Sequence, residues 1–179
     1  GMLPAKALRP VLVYTSNSQR SGKSLLAKMA LLPLFGTFAP QAWSDNKEEM
    51  RKTLDSEVLS ASPYIIFDNL KGHVNNASLE AFLTAPSWKG RVLGSNQMFQ
   101  ADNIASVFLT GNQLSVSTDI AGRSLWVELW VDQADPQERR VKREIDEEWL
   151  AAGKNRREIL SALWAIVREW DARGRPKGA

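Results

Sequence analysis

Asn17-Ser18-Gln19-Arg20-Ser21-Gly22-Lys23-Ser24 has residue types and an order suited to holding phosphate. In a loop that runs into a helix, backbone N–H groups and the helix N-terminus face the anion. Lys23 can reach the β/γ oxygens of a nucleotide, and Ser24 can offer a hydroxyl to Mg²⁺. The plain alternative is a helix start with a solvated Lys23. A second chemical position is Asp68, a carboxylate closing the apolar run Tyr64 to Phe67, placed to hold a magnesium ion through water or else to end a strand in a turn. Its neighbour Asn69 cannot accept a proton at neutral pH, so it is no general base. Asn112, at the end of another apolar run, and Arg123, ahead of an alternating one, are the remaining polar candidates. Their bland readings are a turn asparagine and a surface or ion-paired arginine.

The elements that must position these residues follow from pattern. Val11 to Thr15 is a short β-branched run after Pro10, and Tyr64 to Phe67 and Ala105 to Leu109 are two more, the mark of strands buried on both faces. The residues after the last two runs, Asp68-Asn69 and Thr110-Gly111-Asn112, are expected to terminate them. Leu125, Val127, Leu129 and Val131 alternate as a fourth strand. Leu25, Leu26, Met29, Ala30 and Leu32 recur at helical spacing until Pro33 and Gly36 end the helix. Asp45 is expected to cap a second helix whose Met50, Leu54 and Val58 share a face, with Glu48 reaching back to complete a capping box. Ala77 to Thr84 reads as a short helix, and Trp88 to Asn103 as a hairpin.

Beyond residue 131 the pattern turns helical. Asp135-Pro136 starts a charged helix to about Ala152, and a capping box at Asn155 to Glu158 opens another. Its Ile159, Leu160, Leu163, Trp164, Val167 and Trp170 form one apolar face expected to pack on a core. The expected organisation is a tag remnant and lead-in at 1–10, a core at 11–134, a helical region at 135–173 and a frayed tail at 174–179. Trp126, Trp130, Trp164 and Trp170 are assigned to packing rather than base stacking. The basic residues Arg139, Arg140, Lys142, Arg143, Arg156 and Arg157 read as a solvated face laced with Glu, phosphate-backbone contact being the alternative. His73 is given no role.

Composition narrows the classes. At 179 residues, 44% hydrophobic and 24% charged, the chain can form one domain, or one with a small appendage. The longest apolar candidate, residues 25–38, is broken by Lys28, Pro33 and Gly36, which argues against a membrane span. No cysteine and a single histidine exclude disulfides and thiolate catalysis and disfavour zinc or a Ser/His triad. A cytoplasmic location is the expectation. Lys+Arg 23 against Asp+Glu 20 gives a net charge of +3, mildly favouring polyanionic partners.

Taken in order, Ser-Gly-Lys-Ser (21–24), Ile-Ile-Phe-Asp-Asn (65–69), Gly-Arg-Val-Leu-Gly-Ser (90–95) and the stretch from Leu109 to Arg123, with Glu49-Met-Arg-Lys52, resemble the ATPase module of phage and mobile-element primase–helicases, relatives of superfamily 3 and AAA+ ATPases. The resemblance implies an α/β P-loop NTPase fold with about five parallel strands ordered 5-1-4-3-2, ATP and Mg²⁺ at the strand carboxyl ends, and a homo-oligomer, typically a hexameric ring, around single-stranded or duplex DNA. Residues 17–24 become a Walker A loop, Ser24 and Asp68 the magnesium pair, and Asn112 a sensor that orients water. Arg91 and Arg123 become inter-subunit arginines, and Glu49 a substitute for the base missing at Asn69. Asn17 stands where the loop usually has glycine, a residue whose tolerance of positive φ would let the loop close. Gly122 stands where the last motif usually has a second arginine. A non-hydrolysing DNA-associated or assembly protein and a P-loop kinase are the rival readings.

Overall fold

The computed structural model describes residues 8–132 and 142–176. These fall into two compact units, one within Gly1–Ser24 and Ala39–Arg139, the other within Leu25–Phe38 and Arg140–Ala179.

The first unit is built on strand β1 (Val11–Ser16), flanked on both sides by parallel partners, β5 (Ser106–Val116) and β6 (Ser124–Leu129), with β2 (Tyr64–Val74) beyond β5. The sheet has four strands in the order β2-β5-β1-β6. A strand paired on both sides and covered on both faces needs a continuous apolar run, which is why β1 buries Val11, Val13 and Tyr14 together. The fifth strand that the resemblance implies is not formed among the described residues. At the outer edge of β2, where a further strand could add, a single backbone bond from Gln41 N–H to Ile66 O (2.8 Å) takes its place.

Neither β2 nor β5 ends where expected. Thr110 is fully buried and Gly111 sits in the ladder, so both continue the strand. Gly111 is required there, because a Cβ would lie 2.5 Å from the Leu70 carbonyl oxygen. The strands bend instead of stopping: Asn69 (φ 59°), Gly72 (φ 75°) and Gln113 (φ 46°) are left-handed, and the β2–β5 register shifts between Phe67 and Leu70 and again between Lys71 and His73. Leu114 N–H then donates to Thr15 Oγ1 (3.0 Å), which turns the end of β5 back toward β1.

Helix α2 (Lys47–Leu59) buries Met50, Leu54 and Val58 as its spacing requires. Its cap is Asn46 rather than Asp45: Asn46 Oδ1 accepts from Glu48 N–H (2.8 Å) and Glu49 N–H (3.3 Å), while Asp45 accepts from Trp43 Nε1–H (2.7 Å). Helix α3 (Ala77–Thr84) is capped by Asn76. The antiparallel hairpin β3 (Ser87–Arg91) and β4 (Met98–Asp102) is tied to α2 by Asp55, a buried carboxylate accepting from Trp88 Nε1–H (2.6 Å) and Arg91 N–H (3.1 Å). Short helix α4 (Thr118–Ala121) leads into β6. As an outer strand, β6 leaves Trp126 42% exposed, and Trp130 after it is 69% exposed, so neither packs in the core as expected.

Helix α1 (Lys23–Phe35), part of the second unit from Leu25 onward, continues through Pro33 to a left-handed Gly36 whose N–H bonds Leu32 O (2.9 Å). A proline in the last turn removes only one donor, and Arg156 Nε–H takes the Pro33 carbonyl (2.7 Å). The charged helix expected from Asp135 lies partly outside the described residues; within them α5 is only Glu147–Ala151, capped by Asp146. Helix α6 (Gly153–Ala172) starts two residues before the expected capping box, so Asn155 lies inside it and donates to Trp149 O (2.9 Å) instead of capping. Of the tail expected at 174–179, residues 177–179 lie outside the described residues; before them Trp170 Nε1–H donates to Pro176 O (3.1 Å). Contrary to expectation, α6 buries no residue, and Trp164 is 58% exposed. Amphipathic spacing determines which side chains share a face, not what covers it.

Candidate functional site

The carboxyl end of β1 delivers Ser16, which is 1% exposed, to the start of the loop. Ser16 Oγ accepts from Ser18 N–H (3.1 Å) and donates to Ser18 O (2.5 Å), folding the chain back on itself. Gln19 and Arg20 are exposed, with Arg20 left-handed at φ 56°, and Ser18 Oγ–H donates to Gln19 O (3.1 Å). Gly22 has φ 99°, and a Cβ there would meet nothing within 4 Å, so the backbone is open to close approach from outside.

Asn17 does not adopt the positive φ that would make it a stand-in for glycine. Its side chain is used as a ladder rung: Nδ2–H donates to Val131 O (2.9 Å) and Oδ1 accepts from Val131 N–H (2.9 Å). The rung extends the β1–β6 pairing past its last partners, Ser16 and Leu129. Asn17→Gly is therefore expected to lower the thermal midpoint by about 5 °C, from two lost bonds of about 1 kcal/mol each. Thermal unfolding checks this, and an unchanged midpoint would mean the rung contributes nothing.

Lys23, 8% exposed, is the centre of the site. Its Nζ donates to Ser21 Oγ (3.0 Å), Ser18 O (3.2 Å), Ser16 Oγ (3.3 Å) and, closest of all, Asn112 Oδ1. Four oxygens share three protons, so at least one of these bonds is bifurcated. Burial pushes the Lys23 ammonium below its ordinary 10.5, and the nearby Asp68 carboxylate pulls the other way. Next in sequence, Ser24 Oγ–H donates to Asp68 Oδ1 (2.8 Å). Asn112 reaches Lys23 because β5 pairs with β1 in a register that sets it beside Ser16.

The loop, Ser24, Asp68 and Asn112 are thus brought together, and three other candidates are not. Glu49 is exposed and accepts from Lys52 Nζ (2.7 Å), outside the Lys23 cluster. Arg123 is exposed at the opposite end of β1, where its carbonyl accepts from Val11 N–H (2.9 Å). Arg91, the other candidate inter-subunit arginine, gives its backbone N–H to Asp55 in the hairpin. His73 pairs with Ser115 Oγ (3.0 Å) on the bent ends of β2 and β5. Sequence reasoning missed Ser16, which lies between the Val11–Thr15 run and the loop at 17–24, and Thr110, read as a strand terminator. The available signal was that both are small hydroxyl residues at the ends of apolar runs.

Among the described residues no three His, Cys, Asp or Glu side chains cluster to hold a metal ion. Ser24 and Asp68 alone fit magnesium only as partial ligands, the kind of site at which Mg²⁺ keeps several waters and shares its shell with substrate phosphates.

No family model matches the chain, and no curated protein matches it. Among solved structures it is similar to the A form apo structure of the NrS-1 C-terminal region, at 13% sequence identity and a TM-score of 0.49. That likeness covers 85% of this chain and 34% of the other, so the chain spans about a third of that structure's length. The fold is that of a mixed α/β protein with a four-stranded parallel sheet and helices. No described helix is long and apolar enough to cross a membrane.

Proposed function

We propose that residues 17–24 form a Walker A loop that binds ATP with Mg²⁺, and that the chain is an ATP-hydrolysing, helicase-like module of phage or mobile-element DNA replication. One observation carries the reading: the Lys23 ammonium is buried in a nest of neutral oxygens beside the Ser24–Asp68 pair. Among the described residues no carboxylate bonds this ammonium directly, and a buried cation without one is costly unless something anionic joins it. The open face at Gly22 is where a phosphate chain can approach backbone N–H groups.

In this reading the loop amides and Lys23 hold the terminal phosphates and stabilise charge as water attacks in line. Lys23 exchanges some of its protein oxygens for phosphate oxygens, and Asn112, released from it, orients the attacking water. Mg²⁺, when bound, neutralises charge on the phosphate oxygens, with Ser24 and Asp68 holding it. Arg123 of a neighbouring copy completes the site in a homo-oligomer, a hexameric ring by resemblance, that encircles DNA. With Asn69 an amide, Glu49 is the proposed substitute base, a role in which its carboxylate leaves Lys52 Nζ.

A second reading, nucleotide binding without turnover, is favoured by Asn69, an amide whose backbone is turned to φ 59° directly after Asp68. Calorimetry with ATP and Mg²⁺, paired with phosphate release in the presence and absence of single-stranded DNA, separates the two. Binding with DNA-stimulated release is expected. Binding without release selects the second reading, and no binding overturns both.

A further inference from the structure

We infer that Thr110 is a positioning residue that aims the Asp68 carboxylate at Ser24, an inference that rests on the magnesium-nucleotide reading of the site. The β2–β5 register pairs Phe67 with Leu109 and Leu70 with Gly111, which leaves two residues of β2, Asp68 and Asn69, opposite Thr110 alone. This is a bulge, and bulges commonly re-aim a side chain next to a site. In an unbroken strand Asp68 would follow the simple alternation of faces, and Asn69 N–H would be spent in the ladder or left without a partner.

Thr110 fills the bulge with a single hydroxyl. Its Oγ1 accepts from Asn69 N–H (3.0 Å) and donates to Asp68 Oδ1, the same oxygen that accepts from Ser24 Oγ–H (2.8 Å). A threonine hydroxyl has one proton and two acceptor positions, so this geometry commits its proton to the carboxylate. The Thr110 side chain itself is fully buried. The backbone donor fixes the hydroxyl, the hydroxyl fixes the carboxylate, and the carboxylate accepts from Ser24. Partners of this kind, one step removed from a metal ligand, typically change metal affinity about 10–100-fold when lost.

Thr110→Val keeps the shape and removes the hydroxyl, and Thr110→Ser keeps the hydroxyl. In ligand-free crystal structures, Asp68 is expected to leave Ser24 Oγ in Thr110→Val and to stay on it in Thr110→Ser. With a fluorescent ATP analogue, Thr110→Val is expected to need about tenfold more Mg²⁺ for half-maximal binding, and Thr110→Ser within about twofold of the parent. Binding in EDTA is expected to be the same for all three. Asp68 still on Ser24 in Thr110→Val, or binding weakened equally with and without Mg²⁺, overturns the inference and leaves Thr110 a folding residue. If Thr110→Val does not fold, the smaller Thr110→Ala is read the same way. A parent protein that binds no nucleotide overturns the functional reading instead, and the ligand-free structures still decide what Thr110 does.

Discussion

Lys23→Ala is expected to weaken ATP binding about 100-fold, the loss of one or two charge-assisted hydrogen bonds of roughly 1.5–3 kcal/mol each. The same substitution is expected to leave the thermal midpoint near pH 7 within about 3 °C of the parent, because the buried ammonium does little for folding. It is surrounded by two serine hydroxyls, a carbonyl and the Asn112 amide oxygen, all neutral, and burial disfavours its charge. The pH dependence follows from the same fact. Because Lys23 titrates below 10.5 when folded, the unfolded chain holds more protons between the lowered value and 10.5. Stability therefore gains a contribution as pH rises through that window, and Lys23→Ala lacks it. ATP affinity moves in the opposite direction, falling as the folded lysine loses its proton. Calorimetry and thermal unfolding over a pH series measure both, and Lys23→Ala binding ATP as the parent does would remove the lysine from the site.

The parts of this site that can be read from sequence are those made by neighbours in the chain. Val11 to Thr15 and Tyr64 to Phe67 announce themselves because strands covered on both faces must be apolar throughout. Ser21 to Ser24 stand out because loop and helix start adjoin. What escapes is made by pairing between distant segments. Asn112 lies 89 residues from Lys23, and its meeting with the ammonium depends on the β1–β5 register, which no local pattern encodes. Thr110 and Gly111 look like punctuation after an apolar run, yet one is buried by its hydrogen bonds and the other by the close approach of Leu70. Asn17 has the same ambiguity: its polarity suits a loop, but its side chain closes a backbone rung with Val131, 114 residues away. The tryptophans fail for a different reason. Alternation on β6 and helical spacing on α6 group Trp126 and Trp164 with apolar neighbours, while exposure depends on the sheet edge and on what lies over the helix.

Arg123→Ala is expected to lower ATP hydrolysis about 1,000-fold while changing ATP affinity by less than about twofold, the signature of a charge supplied in the transition state by another subunit. Within one copy the residue is too far away to act. Arg123 sits beside Val11 at the amino end of β1, and the loop begins after Ser16, six strand residues later. At about 3.3 Å per residue that is roughly 17–20 Å, beyond one side chain. The local surroundings of Arg123 are a cleft shared with Glu80 and Asp119, not the Lys23 cluster. If Arg123 acts at all, it acts on a neighbour, and that makes a mixing experiment decisive. Lys23→Ala lacks a working loop but keeps Arg123, and Arg123→Ala keeps the loop but lacks the arginine. Each alone is expected to be inactive, and a mixture is expected to recover hydrolysis wherever the arginine of one variant faces the loop of the other. The parent rate is expected to rise more steeply than linearly with protein concentration through the assembly range. A rate linear in concentration, together with no recovery in the mixture, would mean that Arg123 does not reach across a subunit boundary.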